Sequence, residues 1–209
     1  MEVIKMKTIK TLVVDDEVAE DIKENLENFK FHDARLSIEA VDTCQDAITR
    51  IEKSRKDKQF YDVVIVDMKM DDSEEKGLEI LKLPLSSLKI VLTALPSVEN
   101  CLKCTIAGAF DYIEKNSIHY DPYERLEKAI REGLEKRLKE PESPFLKWKN
   151  KNFSYLIGEY EGKYIAVIDE VVVDVDENQE ALNNRLKENY PFFKAEIMEI
   201  PKKTGSMPG

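Results

Sequence analysis

Along the first 140 residues, short apolar runs alternate with stretches whose apolar positions recur every three or four residues. Residues 11–14, 36–41, 63–66 and 89–92 are rich in Val, Ile and Leu, are bounded by charge, and read as strands; residues 110–113 form a weaker fifth. Between them, Val18, Ile22, Leu26 and Phe29 repeat at helical spacing, and Ala47, Ile48 and Ile51 begin a second helix. Residues 77–83, 97–106 and 122–139 give three more, with Pro122 suited to a first helical turn and Asp121 to its N-cap. Strict alternation of strand and helix predicts a doubly wound α/β fold, a five-stranded parallel sheet covered on both faces.

The pattern breaks at Pro141-Glu142-Ser143-Pro144, because two prolines within four residues cannot continue a helix. The reading is therefore a first domain over 1–140, a linker over 141–144, and a small α+β domain over 145–203. In that second domain Phe153, Leu156, Ile157 and Tyr160 share a helical face and Gly162 is a natural stop. Residues 163–169 and 170–175 predict a hairpin turning at Asp169-Glu170, residues 176–190 a helix begun by Asp176, and residues 194–200 a last strand. Residues 204–209 are expected to be a disordered tail.

Composition narrows the function classes. Apolar runs are only a few residues long against the roughly 20 that a membrane span requires, and the first residues lack a signal peptide's apolar stretch. Three cysteines are an odd count that fits a reducing compartment, so the expected location is cytoplasmic, with no membrane partner. A net charge of -10 gives no field toward phosphate backbones.

In an open parallel sheet, ligands sit beyond the carboxyl ends of the strands, where the strand order switches. The polar residues at those ends form a set. The first strand delivers Asp15 and Asp16, the third Asp67, the fourth Thr93 and the fifth Lys115. Clustered carboxylates repel and stay ionised beside a cation. Magnesium suits them, because it takes hard oxygen ligands and shares them with waters and a phosphate oxygen. Asp67 can then attack phosphorus as a nucleophile, with the metal and Lys115 spreading the charge and Thr93 donating a hydrogen bond.

Four segments carry a resemblance: residues 11–17 (Thr-Leu-Val-Val-Asp-Asp-Glu), residues 61–70 (Tyr-Asp-Val-Val-Ile-Val-Asp-Met-Lys-Met), Leu92-Thr93-Ala94, and residues 107–115 (Ala-Gly-Ala-Phe-Asp-Tyr-Ile-Glu-Lys). Together they resemble the motifs of response regulator receiver domains, over residues 8 to about 139. The resemblance implies a flavodoxin-like sheet of order 2-1-3-4-5 and a phosphoacceptor at Asp67. It implies Mg2+ held by Asp15, Asp16, Asp67 and the main-chain carbonyl of Lys69, switch residues Thr93 and Tyr112, and a phosphate-binding Lys115. Its implied phosphoryl donors are a sensor histidine kinase or a small phosphodonor. Thr93 and Tyr112 flank the face of the fourth helix, fifth strand and fifth helix, where phosphorylation is expected to change either self-association, as a homodimer, or the docking of residues 145–203. Asp71 and Asn116 stand where the family usually has proline, and the stretch before Gly77 is longer and more acidic than usual. The expected protein is a phosphorelay switch, with no enzymatic activity beyond its own phosphorylation and dephosphorylation. The alternatives are a receiver-like scaffold that takes no phosphate and a magnesium-dependent phosphatase with an aspartyl nucleophile. Such phosphatases usually carry a second acid two residues on, where this chain has Lys69.

Residues 145–203 hold nine Lys or Arg against eleven Asp or Glu, a balance of -2 that is not a nucleic-acid footprint. The basic cluster Lys147-Trp148-Lys149-Asn150-Lys151 reads as a solvated helix face with Trp148 turned inward. Residues 160–172 resemble a small prokaryotic domain of unknown function, and an interaction module with an unidentified protein partner is expected. Turn and cap roles account for Asp169, Asp174 and Asp176. Cys101 and Cys104 have redox or half-zinc-site spacing but no second ligand pair, and read as helix-borne cysteines in the core or on its edge.

Overall fold

The structure, a computed structural model, describes residues 6–29, 31, 34–70, 73, 75–137 and 145–202. The chain divides into two compact units, Met1–Arg137 and Leu138–Gly209. The sequence-assigned linker and tail lie outside the described residues.

In the first unit the elements run β1 (Lys7–Val14), α1 (Ala19–Glu27), β2 (Ala34–Val41), α2 (Cys44–Lys56), β3 (Val63–Val66), α3 (Gly77–Leu81), β4 (Leu88–Thr93), α4 (Val98–Ile106), β5 (Asp111–Glu114) and α5 (Pro122–Arg137). The strands form one parallel sheet of order β2-β1-β3-β4-β5. Its central strands are apolar on both faces because helices cover both. Leu12, Val14, Val64 and Val66 pack on Cys44, Ala47 and Ile51 of α2, while α1 and α5 meet each other and the sheet's other side.

Local chemistry fixes the helix starts. Thr43, Ser97 and Asp121 each accept a hydrogen bond from a backbone N–H in the first turn of α2, α4 and α5. The Thr43 cap begins α2 three residues before the apolar pattern at Ala47. The first strand also begins earlier than its apolar run, at Lys7, because its first half pairs along β2 and needs no second buried neighbour.

At the amino-terminal pole of the sheet Asp62 is buried. Its Oδ2 accepts the Lys10 N–H at 2.7 Å, and the Arg137 guanidinium lies 3.9 Å from its Oδ1 while donating to the carbonyls of Asp62 and Ser86. Burial raises its pKa to about 6 despite these partners. A carboxyl that holds its proton more tightly when folded contributes stability at low pH, and that contribution is lost as pH climbs from about 4 to about 6. Asp62→Asn keeps an acceptor for Lys10 and removes the ionisation. The expected gain is on the order of 1–3 kcal/mol at pH 7 and little near pH 4, read from urea unfolding at the two pH values.

The second unit contains α6 (Phe145–Tyr160), β6 (Tyr164–Ile168), β7 (Val171–Asp176), α7 (Gln179–Asn189) and β8 (Glu196–Glu199), with an antiparallel sheet of order β7-β6-β8. The hairpin turns at Asp169 and Glu170, both at positive φ, the conformation a two-residue turn between twisted strands requires. Leu156 of α6 packs with Ile165, Val167, Met198 and Ile200, and Trp148, Ile157 and Tyr160 join them. Phe153 is 38% exposed, at the edge of the α6 face centred on Leu156. One expectation is corrected. Asp176 does not cap α7: Asn178 does, accepting the N–H groups of Glu180 and Ala181, and α7 begins at Gln179. Asp176 instead ends β7, where its carboxylate and that of Asp174 grip Arg185 at 2.6 and 2.8 Å.

Candidate functional site

The chain runs from β1 to β2 on one side and then returns to β3 on the other, so the strand order switches between β1 and β3. Asp15 and Asp67 are the first residues beyond those two strands. Their backbones extend the ladders: the Asp15 N–H donates to Val41 O and the Asp67 N–H to Val14 O. Asp15 and Asp67 are buried and Asp16 is exposed. The three offer carboxylate oxygens within 4.8 Å of one another.

Lys115, just past β5, reaches into this group, with Nζ 2.5 Å from Asp15 Oδ2 and 2.6 Å from Asp67 Oδ2. Burial works against its charge, yet the two carboxylates together hold its pKa above the ordinary lysine value. Three carboxylates against one ammonium leave two negative charges in a partly buried pocket. Oxygens sharing one magnesium ion lie within about 4 Å of one another, so small side-chain movements suffice and the donor set fits a hard divalent cation. Asp15 Oδ1 is also fixed by the N–H groups of Glu17 and Val18, at 3.1 and 2.9 Å.

Thr93 ends β4 fully buried, its Oγ1 accepting the Leu95 N–H at 3.3 Å, and its carbonyl receives the Lys115 N–H. Tyr112 on β5 is half-buried; its hydroxyl donates to Leu95 O at 3.5 Å and accepts the Ser97 N–H at 3.4 Å. The Lys69 side chain is exposed, and its N–H donates to Asp67 Oδ1 at 3.3 Å, which sets its main chain beside that carboxylate.

Two features were not read from the sequence. Gly77, taken only as a helix start, brings α3 against the Asp67 loop: its N–H donates to Met68 O, and a Cβ there would stand 2.2 Å from Asp67 O. The residue type was the available signal, since a glycine marks close backbone approach. Lys103 of α4 pairs with Glu75 at 2.5 Å and Glu99 at 2.7 Å, tying α4 to the segment before α3. Beneath that tie lies an open cleft of about 430 Å3 lined by Met68, Lys69, Thr93, Leu95, Ser97 and Lys103.

An open parallel sheet with an acidic cluster and a lysine at its switch point is the arrangement that the receiver resemblance implies. The profile of the response regulator receiver domain family matches residues 11–131, and the chain belongs to that family. Residues 156–203 match a second family, of unknown function (DUF5678). Similar solved structures include a CheY-like receiver domain protein from Methanospirillum hungatei, 29% identical, covering 65% of this chain and 99% of that one at a TM-score of 0.48. A receiver domain protein from Clostridium thermocellum is 24% identical, with 61% and 95% covered and a TM-score of 0.47. The beryllofluoride-activated NtrC4 receiver domain dimer is 24% identical, with 61% and 98% covered and a TM-score of 0.47. No curated protein matches the chain. Receiver domains are signalling domains that take phosphoryl groups from histidine kinases or small phosphodonors and generally bind Mg2+ at an acidic pocket. Among the described residues, no helix is long and apolar enough to cross a membrane.

Proposed function

We propose that the protein is a cytoplasmic response regulator that accepts a phosphoryl group on Asp67 and thereby switches a non-DNA-binding output. The observation that carries this reading is the convergence of Asp15, Asp16, Asp67 and Lys115 within a few ångströms at the sheet's switch point. In the step itself an Asp67 carboxylate oxygen forms a bond to phosphorus as the bond to the donor's nitrogen or acyl oxygen breaks. The ammonium of Lys115 balances the oxygen charge that develops. Asp15, Asp16, Asp67 and the Lys69 carbonyl would hold Mg2+, which supplies the charge neutralisation that lets one anion approach another.

The phosphoryl group adds about -1.5 to -2 charge and strong acceptor oxygens beside Thr93. Thr93 then turns from accepting the Leu95 N–H to donating its hydroxyl to a phosphoryl oxygen, and Tyr112, held by that same loop, follows inward. The change reaches α4, whose Val98, Leu102 and Ile106 are 80%, 59% and 87% exposed and line one face one turn apart. An apolar stripe of that kind supports pairing with a second copy through α4, β5 and α5. The acidic balance of the second unit supports a protein partner rather than DNA.

The test is the intact mass after incubation with acetyl phosphate. One base-labile phosphoryl group per chain is expected with Mg2+ present, and none with a chelator. A chain that gains none under both conditions is the unphosphorylated scaffold.

A further inference from the structure

The pair Cys101 and Cys104 takes no part in the proposed phosphoryl chemistry. Both stand on α4, three residues apart, in the helix that borders the acceptor cleft. Cys104 is fully buried, with Sγ 3.2 Å from the Sδ of Met68, the residue after Asp67. Burial pushes its thiol up to about 11, so it is a poor first nucleophile. Cys101 is partly exposed and open to solvent. It precedes Cys104 by three residues, so the two share one face of the helix. Cys104, Met68 and Tyr112 belong to one apolar cluster, so a change at this sulfur reaches both the residue after Asp67 and the Tyr112 ring.

We propose that Cys101 and Cys104 are a redox modification site, oxidised by hydroperoxides to an intrahelical disulfide that alters the acceptor site. The Cys101 thiolate attacks a hydroperoxide oxygen, the O–O bond breaks, an alcohol or water leaves, and Cys101 becomes a sulfenic acid. The Cys104 sulfur then attacks the Cys101 sulfur, the S–O bond breaks, and water leaves carrying the Cys104 proton. Two thiols and one hydroperoxide thus give one disulfide, one alcohol (or water) and one water.

The geometry determines what the bond does. Cβ atoms three residues apart on a helix lie about 5–6 Å from each other, whereas a disulfide holds them near 3.8 Å. The turn of α4 must therefore tighten, and Cys104 must leave Met68. Strain of this kind makes a disulfide easy to reduce, which suits a reversible signal. Cys44, buried at the start of α2 in a separate cluster, is an internal control.

The thiol pair stands on its own geometry, and only its effect on labelling rests on Asp67 being the acceptor. Full-length protein is treated with hydrogen peroxide, its free thiols are alkylated, and a peptide spanning both residues is mapped. That peptide should lose two hydrogens and escape alkylation while Cys44 remains alkylatable, and hydrogen exchange over residues 98–112 should rise. Labelling by acetyl phosphate should slow at least about fivefold, the lower end of ordinary coupling between sites, and recover with dithiothreitol. Cys101→Ser should remove the response to peroxide. Oxygen added to Cys101 alone, or a disulfide between two chains, overturns the site. A disulfide that leaves exchange and labelling unchanged overturns the coupling. If the reduced protein takes no label, the acceptor reading fails, while the mapped peptide and the exchange data still judge the thiol pair.

Discussion

Asp67→Asn should abolish the phosphoryl label: with acetyl phosphate and Mg2+ the intact mass is expected to stay that of the unphosphorylated variant. An amide lacks the anionic oxygen that attacks phosphorus, and no neighbour substitutes for it. Asp15 is engaged by two backbone N–H groups and by Lys115, and Asp16 is exposed on the loop beyond β1. The variant should remain folded, because the change keeps the side-chain volume and removes one of three mutually repelling charges. A base-labile label that survives in Asp67→Asn would overturn the assignment of the acceptor.

Gly77→Ala should cost about 3 kcal/mol of stability or more, and should slow labelling by the same acyl phosphate. The added Cβ would stand 2.2 Å from the Asp67 carbonyl oxygen and 3.0 Å from Met68 Cα. Both are backbone atoms of the loop after β3 and cannot rotate away, so α3 or the loop must move. Gly133→Ala is the comparison, since its Cβ meets the side chain of Leu88, which can change rotamer. Its expected cost is nearer 1–2 kcal/mol, with labelling intact. Urea unfolding and initial labelling rates of the two variants check the contrast. Equal stability of Gly77→Ala and the unmodified chain would show that α3 does not press on the loop.

The acidic cluster was legible before any coordinates because a parallel sheet lays its strand ends side by side. The runs ending at Val14, Val66 and Thr93 therefore presented Asp15, Asp16, Asp67 and Thr93 at one edge, and Lys115 followed from the weaker fifth strand. In the second unit the order of helix, hairpin, helix and strand was readable from the same periodicities. Its details were not. Asp176 and Asn178 are both good caps by residue type, and Arg185, nine residues beyond Asp176, decides between them by claiming Asp176 for an ion pair.

By itself, then, the sequence determined the doubly wound sheet, its site-bearing edge and the receiver family, because these depend on local periodicity and on which residue follows each strand. The tertiary structure alone decided that Lys115 spans Asp15 and Asp67, that Gly77 admits α3 to the Asp67 loop, that Lys103 ties α4 to Glu75, and that Cys104 rests on Met68. Each of these joins groups from separate elements at distances of a few ångströms. Such distances are set by how helices pack on the sheet, and no spacing along the chain encodes them.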